Sequence, residues 1–236
     1  MKNLIVASTS TVYNGKYLDY LTEEIAILFS EVDEVVFIPF ARPGGMSHDA
    51  YTQKAAEAFS KLNKKVMGIH TFKNPEEALK EAKGVFVGGG NTFLLVSQLY
   101  KHQLMQPLRE AIFNGLPYLG TSAGSNICGV TMQTTNDMPI IYPPSFKTLG
   151  VIPFNINAHY LDPDPDSKHM GETRETRIIE FHTQNTIPVI GLREGNWLRV
   201  KGNEIKLKGE HKARIFHQGK QPFEFDSEKN LDQLFN

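Results

Sequence analysis

Short apolar runs alternate with stretches of helical spacing over the first half of the chain. Runs of this length, bounded by polar residues or glycine, are typical of buried strands. They lie at 4–7, 35–40, 66–70, 84–87 and 116–119. Apolar residues three or four positions apart predict helices between the runs. These helices are predicted at 16–29, 49–62, 75–83, 93–99 and 105–113. The alternation predicts an α/β fold with a doubly wound, mostly parallel sheet in a single domain over residues 1–236.

The second half of the chain is less regular. A polar segment marked by prolines at 134–144 precedes an alternating strand, a helix and a buried strand. These three elements are predicted at 155–160, 172–181 and 188–192. In the helix, Ile178 and Phe181 are expected to face inward. Apolar segments on both sides of the turn at 201–203 predict a C-terminal β-hairpin, and 213–225 is expected to add short strands that close the edge of the sheet.

One serine stands at the junction of a predicted strand and a predicted helix. Ser122 is the centre of Gly-Thr-Ser-Ala-Gly at 120–124, between the apolar run at 116–119 and a helix from about Ala123. Such a turn is typical of a nucleophile elbow, which raises the hydroxyl above the sheet. The pentapeptide alone fits equally well a small-residue turn with Ser122 as N-cap. Its position at the carboxyl edge of a doubly wound sheet, where active sites form, favours the elbow.

Three consecutive glycines, at 88–90, follow the preceding strand and reach the same edge. They fit either a tight turn that needs positive φ or a phosphate-binding loop. The phosphate interpretation is weak because the Gly-x-Gly-x-x-Gly spacing is not met and no Walker lysine follows. We therefore expect an N–H group of this loop to point at a reacting carbonyl.

A serine nucleophile needs a base, and a histidine base needs an acid that fixes its tautomer. His159, near the end of a predicted strand, is the best candidate base, although an isolated histidine there is more often structural. Glu194 ends a buried strand and Asp137 lies in a loop, and spacing does not choose between these two acids. Cys128 is a rival nucleophile, but its place on the predicted helix favours a buried, inert thiol.

Composition narrows the function further. The chain has 25 Lys and Arg against 26 Asp and Glu, both scattered, which argues against a nucleic-acid or membrane partner. A single cysteine and the absence of a signal peptide predict a cytoplasmic protein without disulfides. No set of histidines and cysteines has zinc spacing. The segment from Asp162 resembles a calcium loop, but two prolines, Ser167 and Thr173 argue against it, so we predict no metal.

Five segments resemble the peptidase E family, the aspartyl dipeptidases. They are found in one order at 87–93, 120–126, 134–140, 171–175 and 191–197. The resemblance runs from the first strand to the hairpin after Trp197. It implies a serine peptidase on a fold similar to class I glutamine amidotransferases, which is flavodoxin-like. It further implies hydrolysis of small peptides with an N-terminal aspartate, without a cofactor.

The resemblance also implies a role for each candidate residue. The implied roles are Ser122 as nucleophile, His159 as base, Glu194 as acid, Asp137 as important for activity in an open role, Gly90 and Ala123 as oxyanion donors, and Arg174 as the ligand of the substrate aspartate. Taken alone, Arg174 fits better an exposed helix residue paired with a glutamate. The chain departs from the family at Arg193, where a proline can stand, and in a long acidic loop at 162–169. Both departures are expected to alter substrate range.

Two other functions remain compatible with these residues. One is a cyanophycinase-like hydrolase of the same fold, which cuts next to aspartate in a branched polymer. The other is a non-catalytic sensor of an acidic metabolite. Ser122 in place of a cysteine at the elbow argues against a glutamine amidotransferase. Either a monomer or a homodimer is expected.

Overall fold

The structure is a computed structural model that describes residues 1–166, 168, 170–231 and 234. Its strands are β1 (Asn3–Ala7), β2 (Glu34–Ile38), β3 (Lys65–Gly68), β4 (Val85–Val87), β5 (Pro117–Thr121), β6 (Asn155–Ala158), β7 (Val189–Leu192), β8 (Trp197–Lys201), β9 (Glu204–Lys208), β10 (Ala213–Phe216) and β11 (Phe223–Phe225). Its helices are α1 (Thr22–Leu28), α2 (His48–Ser60), α3 (Pro75–Glu81), α4 (Thr92–Lys101), α5 (Met105–Phe113), α6 (Ala123–Asn126) and α7 (Arg174–Phe181). Within these residues, no helix is long and apolar enough to cross a membrane.

The predicted α/β fold with a mostly parallel sheet is confirmed. Seven strands form a large sheet in the order β3-β2-β4-β5-β1-β8-β9, of which the first five are parallel. β8 runs antiparallel to β1 and forms the predicted hairpin with β9. Helices α1 and α2 cover one face of this sheet, and α3, α4 and α5 cover the other. Because both faces are covered, β4 is buried at every position, which explains its continuous apolar run.

The sequence suggested that the tail closes the edge of the large sheet, and this prediction is wrong. Instead, β10 and β11 pair with β7 and β6 in a second, four-stranded sheet of order β11-β10-β7-β6. Ile156 of β6 and Ile190 of β7 join the apolar cluster that lies under α4 and α5. The small sheet therefore extends the helix layer on that face of the large sheet.

Several predicted elements end differently for local reasons. The helix expected from residue 16 begins at Thr22, after a 3₁₀ turn at Asp19–Leu21. The strand expected to reach residue 70 ends at Gly68, since a 3₁₀ turn follows and the Thr71 hydroxyl donates to the Gly68 carbonyl. The strand expected to alternate at 155–160 is buried at all four positions of β6. The Asn74 cap of α3 is confirmed, because its side chain accepts from the Glu77 N–H at 3.2 Å.

Two residues used in the sequence argument, Ser167 and the end of the acidic loop at His169, lie outside the described residues. Among the described ones, no group of three or more His, Cys, Asp or Glu side chains is arranged to hold a metal ion.

Candidate active site

Ser122 occupies the tight turn between β5 and α6. Its backbone has φ 53° and ψ −109°, a conformation that side-chain-bearing residues rarely adopt and that is often found at active sites. The turn is held from both sides: the Ser122 N–H donates to the Ala7 carbonyl at 3.1 Å, and Ser125 Oγ donates to the same oxygen at 2.6 Å. A side chain at Gly124 would collide with the Val87 carbonyl oxygen. The glycine therefore lets α6 start directly against β4.

His159 and Glu194 come from the small sheet. Because β6 and β7 are neighbouring parallel strands, the residues that follow them emerge at the same edge. His159 follows β6 directly with φ 55°, and Ser8 fixes it by accepting the His159 N–H at 2.9 Å and donating its own hydroxyl to the Leu192 carbonyl at 2.7 Å. Glu194 stands two residues beyond the end of β7.

The three side chains form a hydrogen-bonded series. His159 Nε2 lies 2.9 Å from Ser122 Oγ, and His159 Nδ1 lies 2.5 Å from Glu194 Oε1. A carboxylate that accepts from Nδ1–H leaves Nε2 free to accept the serine proton, and it stabilises the imidazolium that results. The side chains of His159 and Glu194 are 36% and 49% exposed, so the site is open to a ligand from solvent.

Asp137, the second candidate acid, has different partners. Its Oδ2 accepts from the Thr92 N–H at 2.7 Å and from Thr135 Oγ1 at 2.8 Å. None of its hydrogen bonds within the described part of the chain reaches His159. Asp137 instead satisfies an N–H in the first turn of α4, where a negative charge is favourable. The contacts separate the two alternatives that spacing left open: Glu194 contacts His159, whereas Asp137 contacts the first turn of α4.

The glycine loop lies against Ser122. A side chain at Gly89 would lie 3.0 Å from Ser122 Cβ, and Gly90 has φ +144° and packs on the Ala41 carbonyl. The Asn91 N–H donates to that carbonyl at 2.7 Å. The N–H groups of Gly90 and Ala123 donate no hydrogen bond to any described residue, so both are available to an incoming oxygen.

Arg174 is the first residue of α7 and is half-buried. Burial lowers its pKa, with a further contribution from Arg177, and the carboxylates of Asp137 and Glu194 oppose this. It makes no hydrogen bond or ion pair with the described residues. The glutamate pairing that the sequence alone favoured is not observed, since Glu175 binds Arg214 at 3.0 Å and Glu172 is 3.7 Å from Arg177.

Arg193 makes a set of contacts that sequence reasoning missed. Its guanidinium donates to both carboxylate oxygens of Asp162 at 2.7 and 2.9 Å and to both of Glu224 at 2.9 Å. Glu224 also accepts from Arg214 at 3.3 Å, and Arg214 holds Glu175 on α7. We call these five side chains the rim network. The signal that could have indicated it was a charged residue directly before Glu194, at the end of a buried strand.

Cys128 does not compete as a nucleophile. The sequence suggested that Cys128 lies on the helix after Ser122. Helix α6 ends at Asn126, however, so the thiol lies just beyond it. The residue is fully buried, and its Sγ lies 3.5 Å from the Gly124 carbonyl. Burial raises the pKa of this thiol to about 12, which keeps it protonated at neutral pH.

Comparisons with known proteins give matches over most of the chain. Peptidase family S51 matches residues 4–208. Peptidase E of Streptomyces coelicolor is 45% identical over 234 residues, covering 99% of this chain and 95% of that protein. A probable alpha-aspartyl dipeptidase of Drosophila melanogaster is 44% identical over 218 residues, covering 91% and 90%.

Two solved structures share the fold at low sequence identity. A putative peptidase E protein from Listeria monocytogenes has a TM-score of 0.67 and 21% identity, covering 89% of this chain and 99% of that one. A peptidase from an acI-B1 actinobacterium has a TM-score of 0.72 and 17% identity, covering 98% and 96%.

Proposed function

This chain belongs to peptidase family S51, and from that premise we propose that it hydrolyses dipeptides with an N-terminal aspartate by acyl transfer through Ser122. The observation that carries the proposal is the series Ser122–His159–Glu194, with distances of 2.9 and 2.5 Å. A hydroxyl, an imidazole and a carboxylate in this order are what a serine peptidase needs.

In the first step, His159 Nε2 takes the proton of Ser122 Oγ while the oxygen attacks the carbonyl of the N-terminal residue. The carbonyl oxygen becomes negatively charged and accepts from the free N–H groups of Gly90 and Ala123. His159 then gives its proton to the leaving amine, and the peptide C–N bond breaks to leave an ester on Ser122. In the second step, His159 takes a proton from water, whose oxygen attacks the ester carbonyl. The ester C–O bond then breaks, His159 gives that proton to Ser122 Oγ, and the first residue is released as a free acid.

Arg174 gives the reaction its selectivity for aspartate. Its guanidinium has no ion-pair partner among the described residues and is close enough to Asp137 and Glu194 for its charge to interact with theirs. A planar guanidinium binds a carboxylate through two parallel hydrogen bonds, which an amide or a methyl group does not offer in the same way. The side chain of an N-terminal aspartate fits this requirement.

The decisive assay is hydrolysis of Asp-Leu, Asn-Leu and Ala-Leu by the full chain. We expect Asp-Leu to be cut fastest and Ser122→Ala to lose about 10³-fold or more in kcat. Ser60→Ala, at the end of α2, is the matched control, because its hydroxyl only donates to the Glu57 carbonyl. Arg174→Lys should raise KM for Asp-Leu and leave KM for Ala-Leu unchanged. Lysine keeps the positive charge but does not form the two parallel hydrogen bonds of a guanidinium.

Each rival function predicts a different result. A sensor would bind an acidic ligand with the same affinity in the wild type and in Ser122→Ala, without turnover. A polymer hydrolase would cut the branched polymer faster than Asp-Leu. Equal rates for Asp-Leu, Asn-Leu and Ala-Leu would remove Arg174 from the mechanism.

A further inference from the structure

A cavity of about 460 Å³ lies beside Glu194, and neither Ser122 nor His159 is among the described residues that line it. The side chains that line it are those of Val12, Tyr13, Tyr20, Glu194, Trp197, Glu210 and His211. Three of these seven are tyrosine or tryptophan, two are carboxylates and one is an imidazole. No lysine or arginine is among the described residues that line it. The cavity thus combines apolar surface with negative charge.

The sheet order places this cavity within reach of a substrate on Ser122. Trp197 pairs with Ala7 across the β8–β1 ladder, and the Ala7 carbonyl accepts the Ser122 N–H. Two strand spacings, about 10 Å, therefore separate Ser122 from Trp197. The second Cα of a dipeptide lies about 3.8 Å from the first, and its side chain can cover the remaining distance.

The direction of the leaving group points the same way. The leaving amine must lie at His159 Nε2 because it receives its proton there, and Glu194 binds the opposite side of the imidazole ring. A residue that leaves past His159 therefore meets the cavity that Glu194 lines.

Tyr20 and Trp197 form fixed walls of the cavity, whereas Tyr13 is exposed to solvent. The Tyr20 hydroxyl donates to the Thr9 carbonyl at 2.6 Å, and its ring meets Trp197 edge to face at 6.1 Å. Tyr13 is 90% exposed. A ring in that position gains buried apolar surface when a ligand side chain fills the cavity, which favours binding.

We propose that this cavity binds the side chain of the second residue of the dipeptide and prefers aromatic and long basic side chains to acidic ones. The identity of the ligand rests on the proposed function. Aromatic ligands stack on Tyr13 and Trp197, and a basic group is attracted both by these rings and by Glu210. An acidic side chain meets Glu194 and Glu210 and is repelled.

Kinetics with four substrates test the preference. For Asp-Phe, Asp-Lys, Asp-Ala and Asp-Glu, we expect kcat/KM for the first two to exceed that for Asp-Glu by tenfold or more. Tyr13→Ala should lower kcat/KM for Asp-Phe about fivefold and leave Asp-Ala within twofold, and Glu210→Gln should narrow the gap between Asp-Lys and Asp-Glu. Phe113→Ala is the control, because α5 leads into the opposite end of β5 and Phe113 is 43% exposed. Equal changes for all four substrates would overturn the proposal.

A binding measurement separates this proposal from the proposed function. Trp197 is the only tryptophan of the chain, so its fluorescence reports on the cavity without turnover. Phenylalaninamide and lysinamide should change the emission of the wild type at lower concentration than they do in Tyr13→Ala. Binding without hydrolysis of any Asp dipeptide would retain the cavity and reject the peptidase mechanism. Hydrolysis of Asp dipeptides without amide binding or side-chain selectivity would retain the peptidase mechanism and reject the proposed role of the cavity. The two proposals can therefore fail separately.

Discussion

The two sheets supply different halves of the site and hold them by different forces. The large sheet carries Ser122 and the free N–H groups, and its turn is fixed by close backbone contacts at glycines over a buried core. The small sheet carries His159 and Glu194, and its open side is held by the rim network, whose carboxylates are partly exposed. Steric exclusion therefore positions Ser122, the proposed nucleophile, whereas charged hydrogen bonds position the loop next to Glu194, the proposed acid.

Steric contacts and charged hydrogen bonds respond differently to substitution and to salt. Overlap of atoms cannot be relieved without moving a strand, so the large sheet tolerates little substitution at the turn. Partly exposed ion pairs are screened by salt and contribute less free energy of unfolding each. We therefore expect damage to the large sheet to unfold the protein, and damage to the rim network to lower activity in a folded protein.

The largest effect is expected at Glu194, which contacts His159, the proposed base. Glu194→Gln should lower kcat by about 10²–10⁴-fold, because an uncharged amide neither stabilises the imidazolium nor fixes the histidine tautomer. Asp137→Asn is the matched variant, and its remaining carbonyl oxygen still accepts from the Thr92 N–H, so a loss of less than tenfold is expected. Steady-state kinetics on Asp-Leu measure both. A larger loss of kcat in Asp137→Asn than in Glu194→Gln would contradict the assignment of Glu194 as the acid that supports His159.

A methyl group at the elbow should test the large sheet. Gly124→Ala would drive a side chain into the Val87 carbonyl and should lower the free energy of unfolding by about 3 kcal/mol. Gly44→Ala, with no atom within 4 Å of the added methyl, should change it by less than about 0.5 kcal/mol. Denaturant midpoints give both values. Equal midpoints for the two variants would contradict the steric explanation.

These contacts also explain how far the sequence could be read. Strands such as β4 were predictable because a strand buried on both faces needs a continuous apolar run. Helix α5 was predicted with its observed bounds. The second sheet was not predicted, because β10 and β11 are short and their choice of partner depends on residues distant in sequence.

The site shows the same limit. Ser122 and the glycine loop could be placed at one edge from local patterns, because each directly follows a strand of a parallel sheet. The choice between Glu194 and Asp137 depends on the pairing of β6 with β7, which no local pattern encodes. The rim network joins residues up to 39 positions apart in pairs such as Arg214 and Glu175, which spacing alone does not reveal.

A smaller effect is expected at the rim network. Arg193→Ala should lower kcat/KM by about three- to tenfold in a protein that still unfolds cooperatively, and it should make the activity less sensitive to salt. Lys61→Ala, which removes an ion pair with Asp19, is the control. Unchanged activity in Arg193→Ala would show that the loop before Glu194 needs no charged anchor.

The rim network also has a defined pH range. Hydrogen bonds from Arg193 lower the pKa of Asp162 below its usual value. A carboxyl whose folded pKa is depressed contributes stability above its unfolded pKa of about 3.9 and loses it as the pH falls through the folded value. The network should therefore persist at neutral pH and weaken only in acid, as circular dichroism against pH would show.

The smallest effect is expected at Cys128, inside the large-sheet core. Because burial raises the thiol pKa to about 12, a thiol reagent at pH 8 should leave the native protein unlabelled and fully active. In the unfolded chain the thiol ionises near pH 8.5, so raising the pH above this value favours unfolding. Labelling should therefore increase with pH only because more of the protein is unfolded. Rapid labelling without loss of structure would mean that the core opens locally.

The left-handed backbone at Ser122 and His159 has a consequence for laboratory evolution. Each residue holds a conformation that glycine adopts without penalty and that costs other residues about 1–3 kcal/mol. Glycine at either position would relieve that strain and remove a side chain that the proposed mechanism requires. A population screened only for survival of heating would therefore drift towards inactive proteins, so heat resistance has to be selected together with turnover.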